Sequence, residues 1–153
     1  MTRVAIVGLG LVGGSLARAL AARGWPVAGV DRAAVLRRAR GVLATAATRV
    51  DAVEADLFVL AAPPDANVEL LEEVAALHPH AAITDVTSVK QPIVARARAL
   101  RLTRFVGGHP MAGAERGGFA RSEVGLFRGR PRTSSAAAHG RGPRSAASRW
   151  SRP

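Results

Sequence analysis

The sequence predicts an α/β fold: an open, doubly wound parallel sheet with helices on both faces. Three observations carry this. Short apolar runs alternate with amphipathic helical patterns along residues 1–127; the runs are too short and too uniformly apolar for half-exposed strands; and a glycine-rich turn joins the first strand to the first helix. At 153 residues, 48% hydrophobic and 22% charged, the chain supplies one domain with a real core rather than two.

The elements follow in order. Residues 3–7, 26–30, 57–61, 82–85 and 105–107 read as buried strands rich in Val, Ile, Leu and Phe, and a short extra strand is expected at 42–46. Between them, residues 11–23, 33–40, 66–77 and 89–100 read as helices. Leu70, Leu71, Val74 and Leu77 recur on one face of the third helix.

The first turn is Gly8-Leu9-Gly10-Leu11-Val12-Gly13, a G-x-G-x-x-G element. Alone that pattern is weak; here it follows the strand Val4-Ala5-Ile6-Val7 and opens a helix, the context that gives it meaning. Gly8 permits the tight turn, Gly10 lets a pyrophosphate approach the backbone, and Gly13 lets helix and strand pack closely. The phosphates would meet the free amides of Leu11, Val12 and Gly13 at the positive end of the helix dipole. Asp31 ends the next strand, eighteen residues past Gly13, where a dinucleotide fold of Rossmann type places its ribose-binding acid. Its carboxylate favours NAD. The neighbouring Arg32 is a guanidinium that could receive the 2′-phosphate of NADP.

Two later loops carry chemistry. Thr84-Asp85-Val86-Thr87-Ser88-Val89-Lys90 follows one predicted strand, and Gly107-Gly108-His109-Pro110-Met111-Ala112-Gly113 the next. Adjacent strands would bring Ser88 and His109 to one edge of the sheet. Ser88 reads either as a helix cap, in the box Ser88-Val89-Lys90-Gln91, or as a partner of an imidazole. His109 is a candidate general base, because an imidazole is the side chain most often used for that role, although a lone loop histidine is commonly a polar surface residue. Lys90 reads as a helix-surface residue without a role. His78-Pro79-His80 has no carboxylate cluster beside it and reads as a helix end, so no metal is expected.

These motifs together resemble the prephenate dehydrogenase family. Gly8–Gly13, the D-V-T-S-V-K of residues 85–90, the G-H-P-M-A-G-A-E of residues 108–115 and the L-F-R-G-R-P of residues 126–131 stand in that family's order and spacing. The resemblance implies an NAD- or NADP-dependent oxidative decarboxylation of prephenate to 4-hydroxyphenylpyruvate, with arogenate dehydrogenase as the sister activity. It implies that His109 accepts the proton of the ring hydroxyl, that Ser88 orients His109, and that Glu115 gates the substrate entrance. For Glu115, an acid stabilised by a helix dipole is the equal alternative. It also implies a homodimer, formed through a helical domain that this sequence does not contain.

Net charge is +11, but residues 1–127 account for only +4. Residues 128–153 hold seven arginines, no acid and no Val, Ile, Leu, Met or Phe. We therefore expect a nucleotide-binding domain over 1–131 and a disordered Arg/Ala/Ser/Gly/Pro-rich tail over 132–153. The abrupt change reads as a frameshift in a gene of high G+C content. Without interleaved aromatics beyond Trp150 or an RGG repeat, the tail is not expected to bind nucleic acid. The absence of cysteine excludes disulfides, thiolate nucleophiles and cysteine-based zinc sites. No apolar run is long enough to span a membrane, and the start does not read as a signal peptide, so a cytoplasmic protein is expected. A catalytically inactive NAD-binding module is the competing function.

Overall fold

The computed structural model describes residues 1–111 and 117–130, and the backbone of 132–136. Six parallel strands run β1 (Val4–Val7), β2 (Val27–Val30), β3 (Thr45–Ala47), β4 (Leu57–Leu60), β5 (Ala82–Asp85) and β6 (Phe105–Pro110), and β7 (Arg132–Ala136) lies antiparallel to β6. The spatial order is β3-β2-β1-β4-β5-β6-β7. Chain direction along the sheet therefore reverses between β1 and β4, which opens a crevice at the carboxyl ends of those strands.

Four helices connect the strands: α1 (Leu11–Ala21), α2 (Ala33–Ala39), α3 (Pro64–Leu77) and α4 (Gln91–Ala99). The two-residue alternation of a strand decides which helix each side chain meets. Val4 and Ile6 of β1 pack with Ala17 of α1 and Leu36 of α2 on one face. Ala5 and Val7 pack with Leu71 and Val74 of α3 on the other, where Phe58, Ile93 and Phe105 complete the layer. Both faces of the central strands are thus covered, which is why their sequences are apolar at every position. Burying a side chain such as Phe58 or Leu71 contributes about 1.5–3 kcal/mol.

The sheet departs from expectation in three places. β3 starts at Thr45 rather than at residue 42, because Val42 and Leu43 still turn off the end of α2, their amides donating to the Ala39 carbonyl at 2.8 and 3.3 Å. β6 continues to Pro110, so His109 lies within a strand, not in the loop after it. Within the stretch expected to be disordered, the backbone of 132–136 lies beside β6, from Val106↔Ala136 to Pro110↔Arg132. A backbone ladder needs no apolar side chains, and side-chain burial was all that the sequence reading weighed. The remainder of the tail, 137–153, lies outside the described residues, as does Glu115.

Candidate functional site

The glycine turn has the form its sequence implies. Gly8 sits at φ +94°, and a Cβ there would stand 2.6 Å from the Ala62 nitrogen and 2.7 Å from the Ala61 carbonyl carbon. A Cβ on Gly13 would collide with the Gly8 carbonyl oxygen and lie 2.9 Å from the Ala61 Cβ. These two glycines are needed by the fold itself. Gly10 is different: a Cβ there would meet nothing within 4 Å. The protein leaves that space free, and a ligand group pressed against the backbone would fill it.

The amides of Leu11, Val12 and Gly13 precede the first helical hydrogen bond, in which the Gly14 N–H donates to the Gly10 carbonyl at 2.9 Å. No side chain caps α1 and no acid lies in its first turn, so the positive end of its dipole has no compensating charge of its own. Asp31 stands beside this turn. Its Oδ2 accepts from the Leu9 N–H at 2.7 Å and its Oδ1 from the Arg32 N–H at 2.6 Å, while the side chain stays 16% exposed. The Arg32 guanidinium projects outward, 89% exposed, with Nε 3.9 Å from Asp31 Oδ1. The floor of the crevice is held by Asn67, wholly buried on α3, which accepts from the Ala62 N–H at 3.1 Å and donates to the Leu60 carbonyl at 3.3 Å. A free-amide turn, open space over the Gly10 backbone and a carboxylate one strand away fit the diphosphate and ribose of a dinucleotide.

Ser88 and His109 stand at the carboxyl ends of neighbouring strands, three residues past Asp85 and two past its register partner Gly107. Ser88 is exposed and His109 half-buried. No hydrogen bond joins them among the described residues. The capping box is not formed either, since α4 starts at Gln91 with Lys90 as its uncapped N-terminal residue. The reason is that the loop folds back on Asp85 instead. That carboxylate, wholly buried, accepts on Oδ2 from the Thr87 N–H at 3.0 Å, the Thr87 hydroxyl and the Lys90 ammonium, and on Oδ1 from the Gly108 N–H at 3.3 Å. Lys90 is therefore no free surface residue. Burial pushes its ammonium below the usual lysine range, and the contact with Asp85 opposes that shift.

The segment after the undescribed 112–116 returns over α1. Arg18 donates through Nε to the Ser122 hydroxyl at 2.8 Å and lies 4.6 Å over the Phe119 ring, while the buried Ser15 hydroxyl accepts from the Glu123 N–H at 3.0 Å. His78 also has a structural place: its Nε2 lies 3.1 Å from the Val50 carbonyl oxygen and its ring 4.5 Å from that of Phe58.

A protein-family model described as "Prephenate dehydrogenase, nucleotide-binding domain" matches residues 16–133. The prephenate dehydrogenase of Lactococcus lactis is 36% identical, over 83% of this chain and 39% of its own length. Among solved structures, Aquifex aeolicus prephenate dehydrogenase in complex with hydroxyphenyl propionate and NAD+ matches with a TM-score of 0.79 at 30% identity, over 88% of this chain and 50% of that one. Synechocystis arogenate dehydrogenase matches with a TM-score of 0.81 at 33% identity, again over 88% and 50%. The chain thus spans half or less of the length of these relatives.

Proposed function

The chain belongs to the prephenate dehydrogenase family through its nucleotide-binding domain, and on that premise we propose that it binds NAD and carries the proton-accepting half of an oxidative decarboxylation of prephenate. The observation that carries the proposal is the shared edge: the glycine turn at Gly8–Gly13 and His109 both stand at the carboxyl ends of one parallel sheet, on either side of the β1–β4 crevice. Ligands of open α/β sheets bind at that edge.

In this reading the amides of Leu11, Val12 and Gly13 hold the diphosphate, Gly10 gives it room, and Asp31 accepts from the ribose hydroxyls. Asp31 repels a 2′-phosphate, which favours NAD, while the exposed Arg32 guanidinium, with Nε 3.9 Å from Asp31 Oδ1, is the group that an NADP 2′-phosphate would meet. Bound there, NAD supplies the hydride acceptor. His109 takes the proton of the ring hydroxyl as hydride leaves the same carbon; the bond to the carboxylate breaks, its electron pair aromatises the ring, and carbon dioxide departs. Ser88 orients the imidazole, and Glu115 gates the entrance. A homodimer and a cytoplasmic location belong to the same proposal through the family likeness.

Arogenate is the second substrate considered, because the Synechocystis arogenate dehydrogenase matches as well as the prephenate enzymes do. Calorimetric titration with NAD, beside NADH formation with prephenate and with arogenate, tests the proposal. NAD binding with turnover of prephenate supports it, turnover of arogenate alone replaces the substrate, and binding without turnover makes this chain a cofactor-holding module. Failure to bind NAD would overturn it.

A further inference from the structure

We propose that Asp85 is a positioning residue, whose buried carboxylate fixes the loop bearing Ser88 to the strand bearing His109, with Lys90 as the counter-ion this requires. The inference rests on the roles proposed above for Ser88 and His109, and its geometry is independent of them. The two oxygens of Asp85 face different elements. Oδ2 gathers the Thr87 amide, the Thr87 hydroxyl and the Lys90 ammonium, so that Ser88 is held from both sides in sequence. Oδ1 reaches across to the Gly108 amide, the residue before His109. A Cβ on Gly108 would lie 2.8 Å from the Asp85 carbonyl oxygen, so the backbone leading into His109 is seated directly against β5.

Two features argue for placement rather than mere stability. A buried ion pair is a poor stabilising device, since desolvating both charges offsets most of their attraction and an apolar pair of equal volume commonly does as well. Moreover, Lys90 is the sole lysine of a chain that holds 21 arginines. An ammonium is a compact point charge with rotatable donors; a planar guanidinium demands a coplanar acceptor pair. Lys90 Nζ meets Asp85 and also lies 3.1 Å from the Thr87 hydroxyl oxygen, a cluster that suits the ammonium.

The test uses the whole chain, isotopically labelled, with Asp85→Asn, Lys90→Met, Lys90→Arg and the combined D85N/K90M variant. We expect each to move the amide resonances of residues 86–90 and 107–109 and the ring resonances of His109. The amides of Gly8–Gly13 should stay in place, and NAD affinity should change by less than about threefold, as for separated sites. The combined variant leaves no unpaired buried charge, so it should regain thermal stability without regaining the native resonances of Ser88 and His109. Recovery of both together, or a His109 ring unmoved in Asp85→Asn, would overturn the proposal. Should Asp85→Asn not fold, Lys90→Arg decides: it keeps the charge, and native resonances in it would refute the need for an ammonium. None of these readouts needs turnover, so loss of the substrate assignment and loss of this inference are distinguishable.

Discussion

Replacing Gly10 by alanine separates a glycine kept for a ligand from one kept for the fold. Gly10 has φ −74° and ψ −153°, extended backbone open to L residues, and its Cβ would meet nothing within 4 Å. In the free protein the methyl thus meets no clash. Restricting the unfolded chain favours alanine by about 0.4–1 kcal/mol, and the poorer start that alanine gives a helix acts against it by a similar amount. The net change should lie within about 1 kcal/mol, or a shift in Tm of about 2–4 °C. With NAD the outcome inverts, because the methyl takes the space the diphosphate must enter. Overpacking of a fitted site costs about 1–3 kcal/mol, which is about a five- to 150-fold loss in affinity. Calorimetric titration with NAD and thermal melts of the same samples read both quantities. Gly13→Ala is the control: its methyl collides with the Gly8 carbonyl oxygen, so stability itself should fall by about 1–3 kcal/mol. A Gly10→Ala protein that binds NAD as tightly as the native chain would refute the reasoning.

Asp31→Ala removes the acceptor of the Leu9 N–H together with the proposed ribose contact; hydrogen bonds to a charged group contribute about 1.5–3 kcal/mol, so NAD affinity should fall at least about tenfold in the same titration. His109→Asn should lower turnover of prephenate by about 10²–10⁴-fold with NAD affinity unchanged, as loss of a general base does, measured as NADH formation. Acid should destabilise the fold in a defined way. Hydrogen bonds from Arg49, Arg3 and Arg96 hold the carboxyls of Asp51, Asp56 and Glu72 below their usual range. Below about pH 4.5 the unfolded chain then binds more protons than the folded one, so stability rises with pH through that window and is lost as pH falls through the folded values. Denaturant midpoints between pH 6 and pH 3 check the sign, and added salt should flatten the curve because all three pairs are exposed.

The strands β1, β2 and β4 were legible because each is a short run without a polar side chain, closed by a turn, and a strand covered on both faces leaves that pattern. The Gly8–Gly13 turn was legible for another reason: steric demand fixes glycine at Gly8 and Gly13, as the crowding around them shows, and Asp31 stood out by its spacing past that turn at the end of the next strand. β7 was not. Its pairing with β6 runs through backbone groups, which every sequence possesses. The Asp85–Lys90 pair was hidden because five residues separate its members in a loop, where no helical or strand period predicts contact. A signal was present in the chain's only lysine lying on a proposed catalytic loop. Of the two readings of Ser88, the cap fails for the same reason, since the box pattern takes no notice of a buried carboxylate that draws the loop away. The return of 117–130 over α1 was equally invisible, Phe119 being an isolated apolar residue among glycine and arginine.

A crystal structure of this chain with NAD tests most directly whether the two halves of the sheet edge form one site. The diphosphate should lie on the amides of Leu11 to Gly13 with the Gly10 space filled, and the nicotinamide should face the His109 imidazole at the carboxyl ends of β4 to β6. A nicotinamide seated elsewhere, or an imidazole turned out to bulk water with the cofactor bound, would contradict it.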